Sequence, residues 1–173
     1  MLLTGLLPDI TTDPAIETAT DSVEAGRSGT IVAPVGIRPP LLAAVASRAA
    51  TPLVVLTATG RDAESLTNAL ASWIPGVAML PAWETLPHER LSPQVDTMAR
   101  RIAVLRRLVH PIKGDDSAGP ISVLVVPIRA FLQPIISGLA DLEPVRVRTG
   151  DILDLTETTN RLAELGYERV DMV

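Results

Sequence analysis

VAPVGIRPPLL, residues 32–42, closes a β-branched run and opens one of helical spacing, the kind of junction at which many α/β proteins hold a phosphate. TIVAP (30–34) before it and LVVLT (53–57) after it read as short strands, with helical spacing over 40–50 and 62–73. The rhythm continues through VAMLP (77–81) as a third strand, 93–109 as a long helix, ISVLVV (121–126) as a fourth strand and 129–137 as another helix. Apolar strands alternating with helices predict an α/β fold: a parallel sheet with helices on both faces.

A phosphate loop of the form GxxxxGK[ST] needs glycines so that backbone N–H groups curl around the phosphates, a lysine for the terminal phosphates and a hydroxyl for magnesium. Laid on residues 32–39, the pattern meets Val32 and Ile37 at the glycine positions, Arg38 at the lysine and Pro39 at the hydroxyl, with Gly36 displaced by one. Pro39 and Pro40 also remove N–H donors that an anion would use. The turn reads as a degenerate nucleotide loop, and no cofactor or metal is expected in it.

The chain has 173 residues, 47% of them hydrophobic, enough for one domain with a core and part of a second. Absence of cysteine excludes disulfides and Cys-based zinc sites and suits a reducing cytoplasm. The most apolar stretch, 121–140, is broken by Pro127, Arg129, Gln133 and Pro134, so no membrane insertion is expected. A net charge of −5 and 2% aromatics argue against a dedicated nucleic-acid module. One local exception stands out. In the 93–109 helix, Arg100 and Arg107 fall on nearly one line, flanked by Arg101 and Arg106, which makes either a phosphate-tracking strip or a solvated face favouring the helix C-terminus. Val95, Met98, Ile102, Leu105 and Val109 form the expected core stripe, with Ser92 as N-cap and Pro93 in the first turn.

Catalytic arrangements are hard to assemble. His88 and His110 lie in different loops, Glu84 and Glu89 have no evident reason for shifted pKa values, and Asp115 and Asp116 read as turn chemistry beside Gly114. Thr57-Ala58-Thr59-Gly60 is the one anion-friendly loop at a strand end, and it keeps a small-molecule enzyme open as an alternative, as the arginines keep a DNA-binding module. The polar residues before Thr30 are expected to form an arm (1–29) ahead of a domain at 30–140. From 144 the character changes: a short strand, then a helix with Asp154 as N-cap, Glu157 three residues on and Gly166 as its stop. Residues 167–173 then read as the first strand of a subdomain that the chain does not contain.

The stretch LPAWETLPHERLSPQVDTMARRIAVLRRL (80–108) closely resembles the amino-terminal, UvrB-like region of the bacterial transcription-repair coupling factors (Mfd). The signature residues are Trp83, Glu84, Thr85, Leu86 and Pro87, then Ser92 and Pro93, then a helix ending in the paired-basic pattern of Leu105–Leu108. The resemblance continues through VLVVPIRAFLQPI (123–135) and LAELGYERVDMV (162–173). It implies a RecA-like, P-loop-like domain that keeps the fold of UvrB while losing its nucleotide loop, followed by the start of a second, α+β subdomain that recruits UvrA. It also implies that the full-length family protein is an ATP- and magnesium-dependent DNA translocase that displaces stalled RNA polymerase from double-stranded DNA, with its motor beyond residue 173. On this resemblance the present chain is an ATPase-inactive scaffold, with intramolecular contacts to the motor domains. Trp83 and Glu84 are expected to be local architecture, and Arg100, Arg107, Tyr167 and Arg169 are the candidate partner contacts.

Overall fold

The computed structural model describes residues 3–85, 94–115, 117–145, 147, 149–164 and 167. Two compact units divide the chain, Met1–Ala140 and Asp141–Val173. In the first, a parallel three-stranded sheet is built from β1 (Leu53–Thr57), β2 (Val77–Met79) and β3 (Val123–Pro127) in the order β1-β3-β2. Its helices are α1 (Leu7–Thr11), α2 (Pro14–Glu24), α3 (Arg38–Arg48), α4 (Gly60–Leu70), α5 (Val95–Val109) and α6 (Ile128–Phe131). β3 is central and buried along its whole length, as a run of Val-Leu-Val-Val between two partners should be.

Register decides which side chains share a face. Leu53 and Val55 align with Val123 and Val125, and Val54 and Leu56 with Leu124 and Val126. The first set joins Val77 and Met79 in a core with Ala43 and Ala46 of α3 and Ala63 and Leu70 of α4. Small alanines let these helices approach the sheet closely, and a fully buried side chain such as Leu70 stabilises by about 1.5–3 kcal/mol. On the opposite face, Leu124, Val126, Ala78 and Leu80 pack with Val104 of α5 and Ala130 of α6. Helices therefore lie on both faces, and on this second one they cover β2 and β3 but leave Val54 and Leu56 of β1 exposed. Gly76, entering β2 at φ +75°, is fixed by a close approach, since a Cβ there would lie 2.9 Å from the Pro120 carbonyl.

Several expectations are overturned. TIVAP (30–34) is not a strand: it has no regular structure and lies outside the sheet, with Val32 96% exposed. β-branched composition favours a pleated surface only where neighbours bury it, and here none do. The expected arm is helical: Asp13 caps α2 by accepting from the N–H groups of Ala15 and Ile16, and Ile16 and Ala19 pack on Leu41, Ala44 and Val45 of α3. Arg48 clamps the pair through Asp21 (2.9 Å) and Glu24 (2.7 Å). The helix expected over 129–137 stops at Phe131, because Pro134 disfavours the helical region just ahead of it.

α5 is turned relative to the expected stripe. Its buried residues are Thr97, Arg101, Val104 and Leu105, while Val95, Met98 and Val109 are exposed and Ile102 is half-buried. Ser92 and Pro93 lie outside the described residues, and the N-cap position is occupied by Gln94. In the second unit α7 (Leu155–Glu164) begins as its sequence predicts, with the Asp154 carboxylate accepting from the Glu157 N–H at 2.9 Å. Its proposed stop, Gly166, and residues 168–173 lie outside the described residues.

Candidate functional site

Ligands of open parallel sheets bind beyond the carboxyl ends of the strands. Here that rim is formed by Thr57–Gly60 after β1, Leu80–Thr85 after β2 and the start of α6 after β3, and it encloses a cleft of about 550 Å³. Thr59, Gly60, Glu64, Glu84, Arg100 and Arg129 line it. Its polar groups are turned on one another. The Thr59 hydroxyl accepts from the Asp62 N–H at 3.1 Å and donates to the Asp62 carboxylate at 2.7 Å, so the start of α4 is capped and carries its own negative charge. Arg100 pairs with Asp96 at 2.9 Å, one turn back on α5.

WET forms the densest part of the rim. Gln133 grips Trp83 by its backbone: the Trp83 N–H donates to Oε1 at 2.8 Å and Nε2 donates to the Trp83 carbonyl at 3.3 Å. The Trp83 indole stacks on Arg101, whose guanidinium carbon lies 4.4 Å from the ring centroid. Arg101 is 0% exposed, and its Nη1 donates to the Pro81 carbonyl at 2.6 Å, while its Nε and Nη2 find no partner among the described residues. Burial alone pushes this guanidinium below its usual pKa, though an arginine stays protonated. Glu84 accepts a short hydrogen bond from the Thr97 hydroxyl, and its carbonyl accepts from Arg129 at 3.2 Å. The Thr97 bond, with further help from the Glu84 and Gln94 backbone and the Arg129 charge, holds the Glu84 carboxyl below the usual carboxylate range. A carboxylate that stays ionised near neutrality is a poor general acid.

The structure scatters the other sequence-flagged residues. Residues 32–39 make no strand-to-helix turn: a 3-10 turn at Val35–Ile37 leads into α3, Ile37 makes no capping bond, and a side chain at Gly36 would meet nothing within 4 Å. The arginines of α5 differ in their surroundings. Arg101 is buried, Arg107 is half-buried with its Nε on the Gly119 carbonyl at 2.8 Å, and Arg100 serves Asp96. Tyr167 is exposed, and Arg169, Leu86, Pro87, His88, Glu89 and Asp116 lie outside the described residues. Asp115 behaves as turn chemistry, accepting from the Ser117 and Ala118 N–H groups. Sequence reasoning missed Gln133, Thr97 and Arg129 as partners of WET. A lone amide in an apolar run, Gln133 in FLQPII, was the available signal for the first. Among the described residues no group of His, Asp and Glu side chains gathers as a metal site, and no helix is long and apolar enough to cross a membrane.

No family model matches the sequence. Over 147 residues the chain is 46% identical to proteins named transcription-repair-coupling factor from Mycobacterium bovis and Mycobacterium tuberculosis, a match covering 83% of this chain and 12% of each relative. The transcription-repair-coupling factor of Escherichia coli is 27% identical over 135 residues, covering 77% of the chain and 11% of that protein. The chain thus spans about an eighth of the length of the curated relatives it matches. Trp83, Glu84 and α5 lie in the stretch whose pattern first pointed to this group, and the chain belongs to the transcription-repair-coupling-factor family.

Proposed function

We propose that this module is an ATPase-inactive interaction and regulatory scaffold within a coupling factor that displaces stalled RNA polymerase at damaged DNA and recruits UvrA in the cytoplasm. The observation that carries the reading is the rim turned on itself: Thr59 bonds Asp62, Arg100 pairs with Asp96, Glu84 accepts from Thr97 and Arg129 donates to the Glu84 carbonyl, and the carboxylates of Glu64, Glu84 and Asp96 lining the cleft would repel a triphosphate. The 32–39 segment, with Arg38 and Pro39 at the lysine and hydroxyl positions, supports the same conclusion. ATP and magnesium, RNA polymerase and double-stranded DNA belong in this reading to other domains of the longer protein, and UvrA mainly to residues beyond 173.

Two measurements test it. Calorimetry with ATP–magnesium at millimolar concentration should give no saturable binding to the 173-residue chain, and a site of tens of micromolar or tighter would overturn the ATPase-inactive reading. Immobilised UvrA should retain a full-length coupling factor carrying this module and retain the 173-residue chain weakly or not at all. Strong, equal retention would move the contact into these residues, and failure of both would remove UvrA recruitment from the reading.

A further inference from the structure

The two faces of the sheet are unequally covered, and the deficit is confined to one strand. On the face built by Val54, Leu56, Leu124 and Val126, α5 and α6 bury the β3 residues to 6% and 2% exposure. The residues directly beside them on β1, Val54 and Leu56, are left 51% and 47% exposed. The other face has no such gap, since α3 and α4 serve all three strands. β1 carries no charge, proline or glycine that would keep a bare apolar strand in water. Beyond its carboxyl end, Ile128 and Phe131 of α6 are exposed as well.

From this geometry we infer that the Val54–Leu56 side of the sheet is a docking face for an amphipathic helix belonging to the same polypeptide, outside these 173 residues. Parallel sheets are stable when both faces are covered, and the layer that covers them is helical. The gap lies beside α5, so an added helix would complete that layer over β1. An apolar stripe is the required chemistry, because the face offers no charged group on β1. The source is argued from length: the matched relatives extend over roughly eight times this segment, with 12% of each aligned. The inference rests on the reading that this module works inside a longer coupling factor, and it names the surface through which the module is held there.

Cysteine labelling tests it, because the chain has no cysteine of its own. Leu56→Cys and, separately, Val54→Cys are placed in the 173-residue chain and in a full-length coupling factor carrying it, and maleimide uptake at that peptide is followed by mass spectrometry. Labelling should slow at least tenfold in the full-length protein, independent of its concentration, while Ala103→Cys, on the exposed side of α5, serves as the accessible reference. Equal rates in both proteins would overturn the inference. So would protection that appears in the short chain and grows with concentration, which would mean a second copy occupies the face. Equal labelling with UvrA retained by the full-length protein rejects the docking face alone, whereas protection with UvrA lost rejects the recruitment reading alone.

Discussion

The approach to α3 and the corner after β2 each deliver the chain to a helix, and the corner is the one gripped by side-chain hydrogen bonds among the described residues. Residues 30–37 have β-branched composition, two prolines directly ahead and no capping bond at Ile37, and Val32 lies almost wholly in solvent. Residues 81–84 look less regular, but Pro81, Trp83 and Glu84 are engaged by Arg101 and Thr97 of α5, Arg129 of α6 and Gln133 just after α6. The difference teaches that a backbone route is fixed by partners distant in sequence. Local propensity supplies the tendency, and tertiary contacts decide whether it is realised.

The strongest way to break the contrast is at Arg101. Arg101→Ala removes the stack on Trp83, the packing of the arginine stem and the donor to Pro81, and should cost about 3 kcal/mol in urea unfolding. Arg101→Met should cost clearly less, because the methionine fills the space while removing buried N–H groups that lack partners. Equal losses for both would show that the charge, not the packing, holds the corner. Next in size is Gln133→Ala, which removes the partner of the half-buried N–H and carbonyl of Trp83 and should destabilise by about 1 kcal/mol on the same assay.

A smaller, pH-dependent effect belongs to Glu84. Its folded pKa lies below the ordinary value near 4.5, so its contribution is complete above that value and is lost as the pH falls through the folded one. Glu84→Gln should flatten the acid limb of the stability profile below about pH 4.5 and leave the profile above it parallel to the parent. Thr97→Val should do likewise, since the Thr97 bond is the largest cause of the shift. Smallest of all is the approach: Val32→Ser should change stability by less than about 0.5 kcal/mol. A melting-temperature loss beyond about 2 °C would reveal a hidden partner for residues 30–34.

What the sequence disclosed follows the same division. The strands expected at 53–57, 77–81 and 121–126 were legible as short apolar runs, and α4 by its helical spacing, although its Thr59 cap reads in the sequence as an anion-friendly loop. α5 was legible as a helix but misjudged in rotation. Hydrophobic periodicity counts an arginine as solvent, whereas Arg101 is buried and stacks on the Trp83 indole. The arm misled for the opposite reason: ETATDS is polar by composition, but Ile16, Ala19 and Thr20 supply the narrow stripe that α3 needs. In the candidate site, WET announced itself, while Gln133 and Arg129 did not, because a contact across some fifty residues leaves no local pattern.

The strand order carries a consequence for synthesis. β3 is the last of the three strands to be made, and among the described residues it is the only strand paired with β1 and β2. β1 therefore emerges from the ribosome roughly 70 residues before its partner, a wait of about 4–14 s at about 5–20 residues per second. During that interval LVVLT and VAM can be shielded by α3 and α4 but cannot close a ladder. A nascent chain whose emerged part ends at Pro120 would hold two strands and no sheet, and would be a better substrate for a chaperone than one with ten further residues emerged.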